Sequence, residues 1–429
     1  MEGREDIRKI VSRKTSFADS GVPEKVRRRL EGLAADPDLA ALARIAARRG
    51  ARAWIVGGAV RDLVLGREVP EVDIAVDGDA GAIAAEMESR GGGRAVFLSG
   101  DRKPRVFRLA GRGRTIDVAE IEGGSIESDL ARRDFTANAM AAELPRAALL
   151  DPYAGLEDLS RGRLRMVSAK NLLDDPLRSL RAARLMATHG LVPDRETSRA
   201  SRLTAAGLPR IAGERVQAEL GKLLETPRAA PALTWAAEIG ILGPALRMEG
   251  SRAQWRSTAR AAEAFDTPRA RKIPPVRLRR LRLAFLAGRA GVAARDAASR
   301  LRRARWGATD AGEVARLLEL ASEASRADGG DGDWRWLLEA GDRASDALAL
   351  LEALRPRSAR AVRRLRGRLA RKRRLPDVRG ADILEWLQIA PGPEVGRLLE
   401  AVRIESLAGR LRTRNDARRW LEARSAGDR

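Results

Sequence analysis

Strand-type patterning in this chain stops near residue 167, and from residue 174 almost every stretch repeats its apolar residues at helical period, punctuated by Gly and Pro. This division predicts an α+β protein: an N-terminal α/β head with a small mixed sheet, followed by an all-helical remainder. At 429 residues the chain is long enough for two to four domains. The punctuation places boundaries at 1–45 (an N-terminal extension and helix), 46–150 (the head), 151–225 (a neck), 226–330 (a helical body) and 331–429 (a helical tail).

The helices carry an unusual charge. The net charge is +23, and most of the surplus is Arg. A GC-rich genome explains Arg in place of Lys, but not the excess of bases over acids. The excess points to a polyanionic partner, nucleic acid or a nucleotide. Segments such as "VRLRRLRLAFLAGRAG" and "ARAVRRLRGRLARKRR" interleave Arg with Leu and Ala. Each reads equally as an amphipathic helix with a solvated basic face. Together, with few aromatics for stacking, they predict backbone and shape recognition of a structured RNA.

The chemistry available is narrow. There is no Cys, so disulfides, zinc-thiolate sites and thiol nucleophiles are excluded. The single His, His189, excludes metal sites built from several imidazoles and argues against Ser-His-Asp catalysis. It lies in "MATHGL", where a helix ends at Gly190, and reads as a last-turn cap or dipole partner. Catalysis here must run on carboxylates, Arg and a metal. No stretch approaches 18 uninterrupted apolar residues, and "MEGREDIRKIVSRK" has no apolar core of a signal peptide. The expectation is a cytoplasmic protein without a membrane span.

Residues 1–20 read as a polar extension, and 24–49 as helix broken at Asp36-Pro37. "ARAWIVGGAVRDLVLG" reads as strand, Gly57-Gly58 turn, and helix from Ala59 to Leu65. "VDIAV" is a second strand, "RVFRLA" and "RTIDVAEI" a hairpin around "GRGR", and "LARRDFTANAMAAEL" a helix.

Within this frame, "EVD" at residues 71–73 stands out. Residues two apart in a strand face the same side, so Glu71 and Asp73 point together, about 6.6 Å apart at Cα, while Val72, Ile74 and Val76 face the core. Carboxylates brought to about 4 Å repel by roughly 4 kcal/mol at an effective dielectric of 20. A hard cation removes that penalty, and oxygen-only ligands suit Mg²⁺, with Mn²⁺ as the alternative. Alone, the pair reads first as a charged strand edge. Upstream, the Gly57-Gly58 turn opens a helix, a place where backbone N–H groups approach phosphate. Downstream, Asp117 lies between apolar neighbours on another strand, either a hairpin-edge charge or a third carboxylate of a phosphoryl-transfer site. Such a site holds two ions about 3.5–4 Å apart.

At this point "VGGAVRDLVLG" followed by "EVDIAV" resembles the head motif of class II nucleotidyltransferases, the family of CCA-adding enzymes and bacterial poly(A) polymerases. "DLARRDFTANAMA" is similar to its second motif, "DPYAGLEDLSRGRLRMV" to its head–neck link, and "DDPLRSLRAARLMATHGL" to its nucleotide-selecting motif. "IAGERVQAELGKLL" resembles the helix that follows. The tail beginning "GADILEWLQIAPGPEVG" resembles that of bacterial CCA- or A-adding enzymes. The resemblance implies that Glu71 and Asp73 hold the metal with Asp117 alongside. It implies that Gly57, Gly58 and Arg61 line the triphosphate site. Arg133 and Asp134 would handle phosphate and the ribose 2′-hydroxyl. Asp175 and Arg178, with Asp174 beside them, would read the base, and Arg181 and Arg184 would extend that face toward nucleotide or solvent. The partners implied are tRNA, ATP and CTP.

The base-reading role has an independent physical basis. Cytosine and adenine both present an exocyclic amino donor beside a ring-nitrogen acceptor, which a carboxylate next to a guanidinium complements. Asp175-Pro176 is also a good helix start, and Asp–Arg at a spacing of three a common helix-surface pair. One position departs from the family pattern: Glu71 stands where Asp is usual. Glu reaches farther by one C–C bond, roughly 1.5 Å, whereas Mg²⁺ demands near-octahedral ligands at about 2.0–2.1 Å. The expected activity is template-independent addition of C, A or both to the tRNA 3′ end. A poly(A) polymerase, or an RNA-binding paralogue impaired by Glu71, is the alternative.

Overall fold

The protein was analysed as a computed structural model, which describes residues 22–98, 104–111, 114–327, 329–371 and 376–427. The expected extension at 1–20 and the residues at the tip of the "GRGR" turn lie outside these. Contacts divide the chain into two compact units. One takes in the described residues up to Glu219 together with Trp235–Ala245; the other takes in Leu220–Thr234 and the described residues from Leu246 onward.

The first unit opens with helices α1 (Glu24–Ala34) and α2 (Pro37–Arg48). They are separated as the Asp36-Pro37 signal predicts: the Asp36 carboxylate accepts from the Asp38 and Leu39 amides, and Pro37 takes the first helical position. A seven-stranded sheet follows, formed by β1 (Ala53–Val56), β2 (Glu71–Val76), β3 (Arg94–Phe97), β4 (Val106–Gly111), β5 (Arg114–Glu120), β6 (Ala141–Leu144) and β7 (Ala148–Leu150). Its order is β3-β4-β5-β2-β1-β6-β7, with β2 and β5 the parallel pair and the other pairs antiparallel. Helices α3 (Gly58–Val64), α4 (Ala80–Ser89), α5 (Ile126–Ala131), α6 (Gly155–Ser160), α7 (Ala169–Asp174), α8 (Leu177–His189), α9 (Arg195–Leu203) and α10 (Gly213–Leu224) complete the elements that concern the site.

The sheet is built by alternation. Along β2, Val72, Ile74 and Val76 are buried, while Glu71 and Asp73 are exposed on the opposite face. β1 is buried at all four positions, as befits a strand covered on both faces.

Two expectations are corrected. "LARRDFTANAMAAEL" is not one helix: α5 ends at Ala131, a single 3-10 turn spans Thr136–Asn138, and Ala141–Leu144 is strand β6. The Ala-rich "AAEL" favours helix locally, but Ala53–Val56 offers it an antiparallel partner, and ladder pairing overrides propensity. Strand pairing also persists past residue 167, in a two-residue parallel bridge between Arg163–Leu164 and Val192–Pro193.

In the second unit the described elements are helical. Its organising feature is Arg282, fully buried within the helix Pro275–Arg289. Its guanidinium donates to the carbonyls of Leu224 (2.8 Å), Thr226, Pro227 and Phe265 and to the Asp266 carboxylate (2.6 Å). Near the C-terminus, Val378, Ile383, Leu387, Val402, Leu411, Ala417 and Leu421 form a separate apolar cluster. Among the described residues, no helix is long and apolar enough to cross a membrane.

Candidate active site

Strand register places the acids. Asp73 is the β-sheet partner of Asp117 on β5 and of Val56 on β1. Because β1 ends at Val56, the turn at Gly57-Gly58 begins directly beside Asp73. Gly57 adopts φ 69° and ψ −129°, a conformation that L side chains rarely reach. A Cβ there would lie 2.7 Å from an Arg133 guanidinium nitrogen and 3.5 Å from Asp73 Oδ2. Glycine is thus required both by backbone angle and by the close approach of a cation and a carboxylate to the turn.

Arg133 reaches this position from the segment after α5, where Asp129, four residues earlier, accepts from its Nε (3.1 Å) and a terminal nitrogen (2.8 Å). The structure therefore brings Gly57, Asp73 and Arg133 together. Glu71 shares Asp73's face one strand repeat away.

Asp73 carries the electrostatic signature of a crowded acid. Although the residue is exposed, protein packed around its carboxyl displaces water from it and raises its pKa; Arg133 opposes this, and the negative charges of Asp117 and Glu71 reinforce it. Asp117 is differently placed. Arg108, opposite it on β4, donates Nε to Oδ1 at 2.8 Å and a terminal nitrogen to Oδ2 at 2.7 Å. That bidentate bond holds the Arg108 guanidinium above its usual range. Among the described residues, no group of three or more Asp, Glu or His side chains stands close enough to hold a metal ion. The donor set that fits a divalent cation is the pair Glu71 and Asp73: oxygen ligands on one strand face, mutually repelling, beside a turn with no side chain of its own.

The remaining residues singled out in the sequence form a second layer. Arg61 is 7% exposed, donating to both Asp62 oxygens (3.0 and 2.9 Å) and to Asn138 Oδ1 (2.7 Å). Gly58 accommodates it: a Cβ there would lie 3.4 Å from its guanidinium. Asp134 is 4% exposed and accepts from the Phe135 amide (2.8 Å), Asn138 Nδ2 (2.9 Å) and Arg181 (3.1 Å). Burial raises its carboxyl, but Arg181 and these hydrogen bonds prevail and leave it below the usual range. Arg181 and Arg184 both donate to Glu219 on α10, at 3.3 and 2.6 Å.

Just before α8, Asp175 accepts from the Leu177 amide (3.2 Å) and from Arg215 on α10 (2.9 Å); the N-cap position itself is Pro176, one residue later than the sequence predicted. Arg178 donates to the Arg132 carbonyl at 2.7 Å. Asp175 and Arg178 therefore share the same helix end, each with another partner. Asp174 pairs with Lys170 at the surface (2.5 Å).

His189 stands in the last turn of its helix, where the sequence placed it. It does end α8, with Gly190 left-handed behind it. However, it is 8% exposed, and burial pushes its pKa down to about 4, so the imidazole is neutral at pH 7. Its Nε2 lies 2.9 Å from Asp62 Oδ1. Sequence reasoning also missed Asp129, Asn138, Asp62, Arg108, Arg215 and Glu219. Asp129–Arg133 and Asp134–Asn138 have a spacing of four, which could have suggested local pairs. Asp62 pairs with its neighbour Arg61 but meets His189 only through the fold, and Arg108, Arg215 and Glu219 likewise meet their partners only there.

A phosphate-approachable turn set against paired acids on a central strand defines a nucleotidyl-transfer type of head. Residues 53–165 match the family described as the poly A polymerase head domain, and residues 190–247 the one described as a probable RNA and SrmB binding site of polymerase A. The chain is 45% identical over 193 residues to a CC-adding tRNA nucleotidyltransferase of Synechocystis, covering 44% of this chain and 46% of that protein. It is 34% identical over 255 residues to a CC-adding tRNA nucleotidyltransferase of Geobacter sulfurreducens, covering 56% of each. The matches thus span about half the length of these relatives. Among solved structures, the Bacillus stearothermophilus CCA-adding enzyme in complex with CTP superposes with a TM-score of 0.69 at 26% identity, covering 92% of this chain and 99% of that one. The matched segments, 53–165 and 190–247, are those of the class II nucleotidyltransferase family, its head and its RNA-binding segment.

Proposed function

We propose that this protein is a tRNA nucleotidyltransferase that adds C, A or both to the tRNA 3′ end from CTP and ATP. The observation that carries the proposal is the convergence of Gly57, Asp73 and Arg133: open backbone, carboxylate and guanidinium at one point. The names of the relatives supply the substrate class.

In this reading the RNA 3′-hydroxyl attacks the α-phosphate and pyrophosphate leaves. Glu71 and Asp73 would hold Mg²⁺, which would supply charge neutralisation at the phosphates and lower the pKa of the attacking hydroxyl. Gly57 keeps side-chain atoms out of the space the triphosphate enters, and Arg133 meets phosphate charge there. Asp134, being buried, acts by fixing Arg181 and Asn138 rather than by meeting the ribose directly. Asp175 and Arg178 read the amino group and ring nitrogen shared by C and A. The residues 151–225 then act as the selecting neck, and the basic helices of 226–330 and 331–429 hold the RNA backbone.

A second reading, an RNA-binding protein with impaired catalysis, has one observation in its favour: Arg108 occupies both oxygens of Asp117.

One assay separates the two. Purified protein is incubated with tRNA lacking its CCA end, tRNA lacking only the terminal A, and an unrelated RNA, with each labelled NTP and Mg²⁺ or Mn²⁺. Incorporation confined to the tRNAs is expected. Absence of incorporation under every condition, with tRNA binding intact, sinks the enzyme reading, and long A tracts on unrelated RNA turn it into a poly(A) polymerase.

A further inference from the structure

The only histidine of the chain closes a ring of hydrogen bonds that links the Gly-Gly turn to the base-reading helix. His189 Nε2 meets Asp62 Oδ1 at 2.9 Å, and Asp62 takes two bonds from Arg61. Arg61 continues to Asn138 (2.7 Å), Asn138 to Asp134 (2.9 Å), and Asp134 to Arg181 on α8 (3.1 Å). Arg181 and Arg184 share Glu219. The Thr188 hydroxyl donates to the Arg184 carbonyl (2.8 Å) and lies 2.7 Å from His189 Nδ1, which completes the ring. Arg61, Asn138, Asp134 and His189 are each more than nine-tenths buried.

The ring joins α3 and α8 at two points. Helix α3 begins at the turn beside Asp73; α8 begins at Asp175 and Arg178. One tie, Arg181–Asp134, lies near the reading end of α8. The other, His189–Asp62, lies at its far end, eleven residues from Arg178, or about 16 Å along the helix. A helix fixed at one point swivels; fixed at two, it holds the base-reading groups at a set distance from the phosphate-side turn. Buried networks with every member satisfied transmit such constraints rigidly.

We propose that His189 is a positioning residue for nucleotide selection. It touches no nucleotide. Through Asp62 it holds the axis of α8 against α3, so that base and triphosphate are bound at once. The proposal rests on the nucleotidyl-transfer reading above.

The test compares His189→Leu, which fills the space without a donor, with His189→Gln, whose side-chain amide can donate to Asp62. Steady-state constants are measured for CTP and ATP on truncated tRNA. In His189→Leu, KM should rise about tenfold for both nucleotides with kcat within about twofold, and His189→Gln should restore most of the loss. An unchanged KM in His189→Leu, a fall in kcat alone, or no recovery in His189→Gln overturns the proposal.

A second measurement needs no turnover. Since the chain has one histidine, its imidazole NMR signals belong to His189. Adding CTP or ATP with Mg²⁺ to the wild-type protein should shift them. Signals that stay in place at saturating nucleotide overturn the proposal, including where His189→Leu fails to fold. A protein that shifts these signals with CTP yet incorporates nothing into any RNA retains the positioning role and loses the transfer reading.

Discussion

Asp73 and Asp117 stand opposite each other in the parallel register of β2 and β5, and Arg108 takes both oxygens of Asp117 while Asp73 shares its strand face with Glu71. Two acids at equivalent positions thus have different tasks. One is clasped through both oxygens by a fixed cation; the other faces Arg133 beside the Gly57 turn, with no such bidentate partner among the hydrogen bonds described. The arrangement makes Arg108 a competitor of any divalent ion bound at the neighbouring pair.

Arg108→Gln removes that competition. One unit of positive charge a few ångströms from the ligands is worth about 1–3 kcal/mol at a protein-surface dielectric. The half-saturating Mg²⁺ concentration for nucleotide incorporation should therefore fall about tenfold. A Mg²⁺ titration of activity checks it; an unchanged midpoint would show that Asp117 and Arg108 act as a sealed structural pair.

Glu71→Asp shortens one ligand by a C–C bond, roughly 1.5 Å. The shorter side chain should raise kcat a few-fold at limiting Mg²⁺, whose octahedral geometry is strict, and change the rate in Mn²⁺ less. Parallel rate measurements in the two metals read this directly.

Gly57→Ala adds a Cβ at positive φ and within 2.7 Å of Arg133. The backbone strain alone costs about 1–2 kcal/mol. Arg133 must also retreat from Asp73, so incorporation should fall by more than the stability loss accounts for, on the order of tenfold or greater. Denaturation and rate measurements on the same preparation separate the two effects.

The His189–Asp62 pair makes acid a specific threat to the first unit. His189 sits at about 4 in the folded chain against 6.5 unfolded, so between those values the unfolded state binds a proton that the folded state refuses. Stability from this group is complete above pH 6.5 and is lost as pH falls toward 4. For Asp62, burial raises the carboxyl, while the His189 hydrogen bond and the Arg61 charge outweigh it and bring it to about 2, from 3.8. Its contribution is present above 3.8 and lost as pH falls to 2. The histidine step is worth about 3 kcal/mol at most. Urea unfolding at a series of pH values should show it, and His189→Gln should flatten the segment between 6.5 and 4.

Arg282→Met tests the second unit. It leaves the Asp266 carboxylate and several carbonyls without their cation in a closed interior. Removing one partner of a buried pair costs about 3–5 kcal/mol. Thermal unfolding should show a large loss, which a further Asp266→Asn change should partly relieve.

What the sequence made legible was local. Gly57-Gly58, the alternation of Glu71, Val72 and Asp73, and the break at Asp36-Pro37 are each written within a few residues, where dihedral preference and strand period decide the outcome. What it hid depended on distance along the chain. "AAEL" turns from helix to strand because Ala53–Val56 lies beside it, some 85 residues earlier. The hydrogen bond of His189 was hidden because its partner, Asp62, lies 127 residues upstream. Asp117 was readable as an acid on a strand, but its guanidinium clasp was not, since Arg108 is one of many arginines and only the hairpin register singles it out.

β2 is hydrogen-bonded along both edges, to β1 and to β5. The strand that carries Glu71 and Asp73 is therefore also shielded from solvent exchange on either flank, and its amide protons should be among the last in the first unit to trade for deuterium. Reactive groups are more often mounted on pliant segments. Glu71 and Asp73 instead ride on an inner strand of the head, so any give around them must reside in what faces that strand.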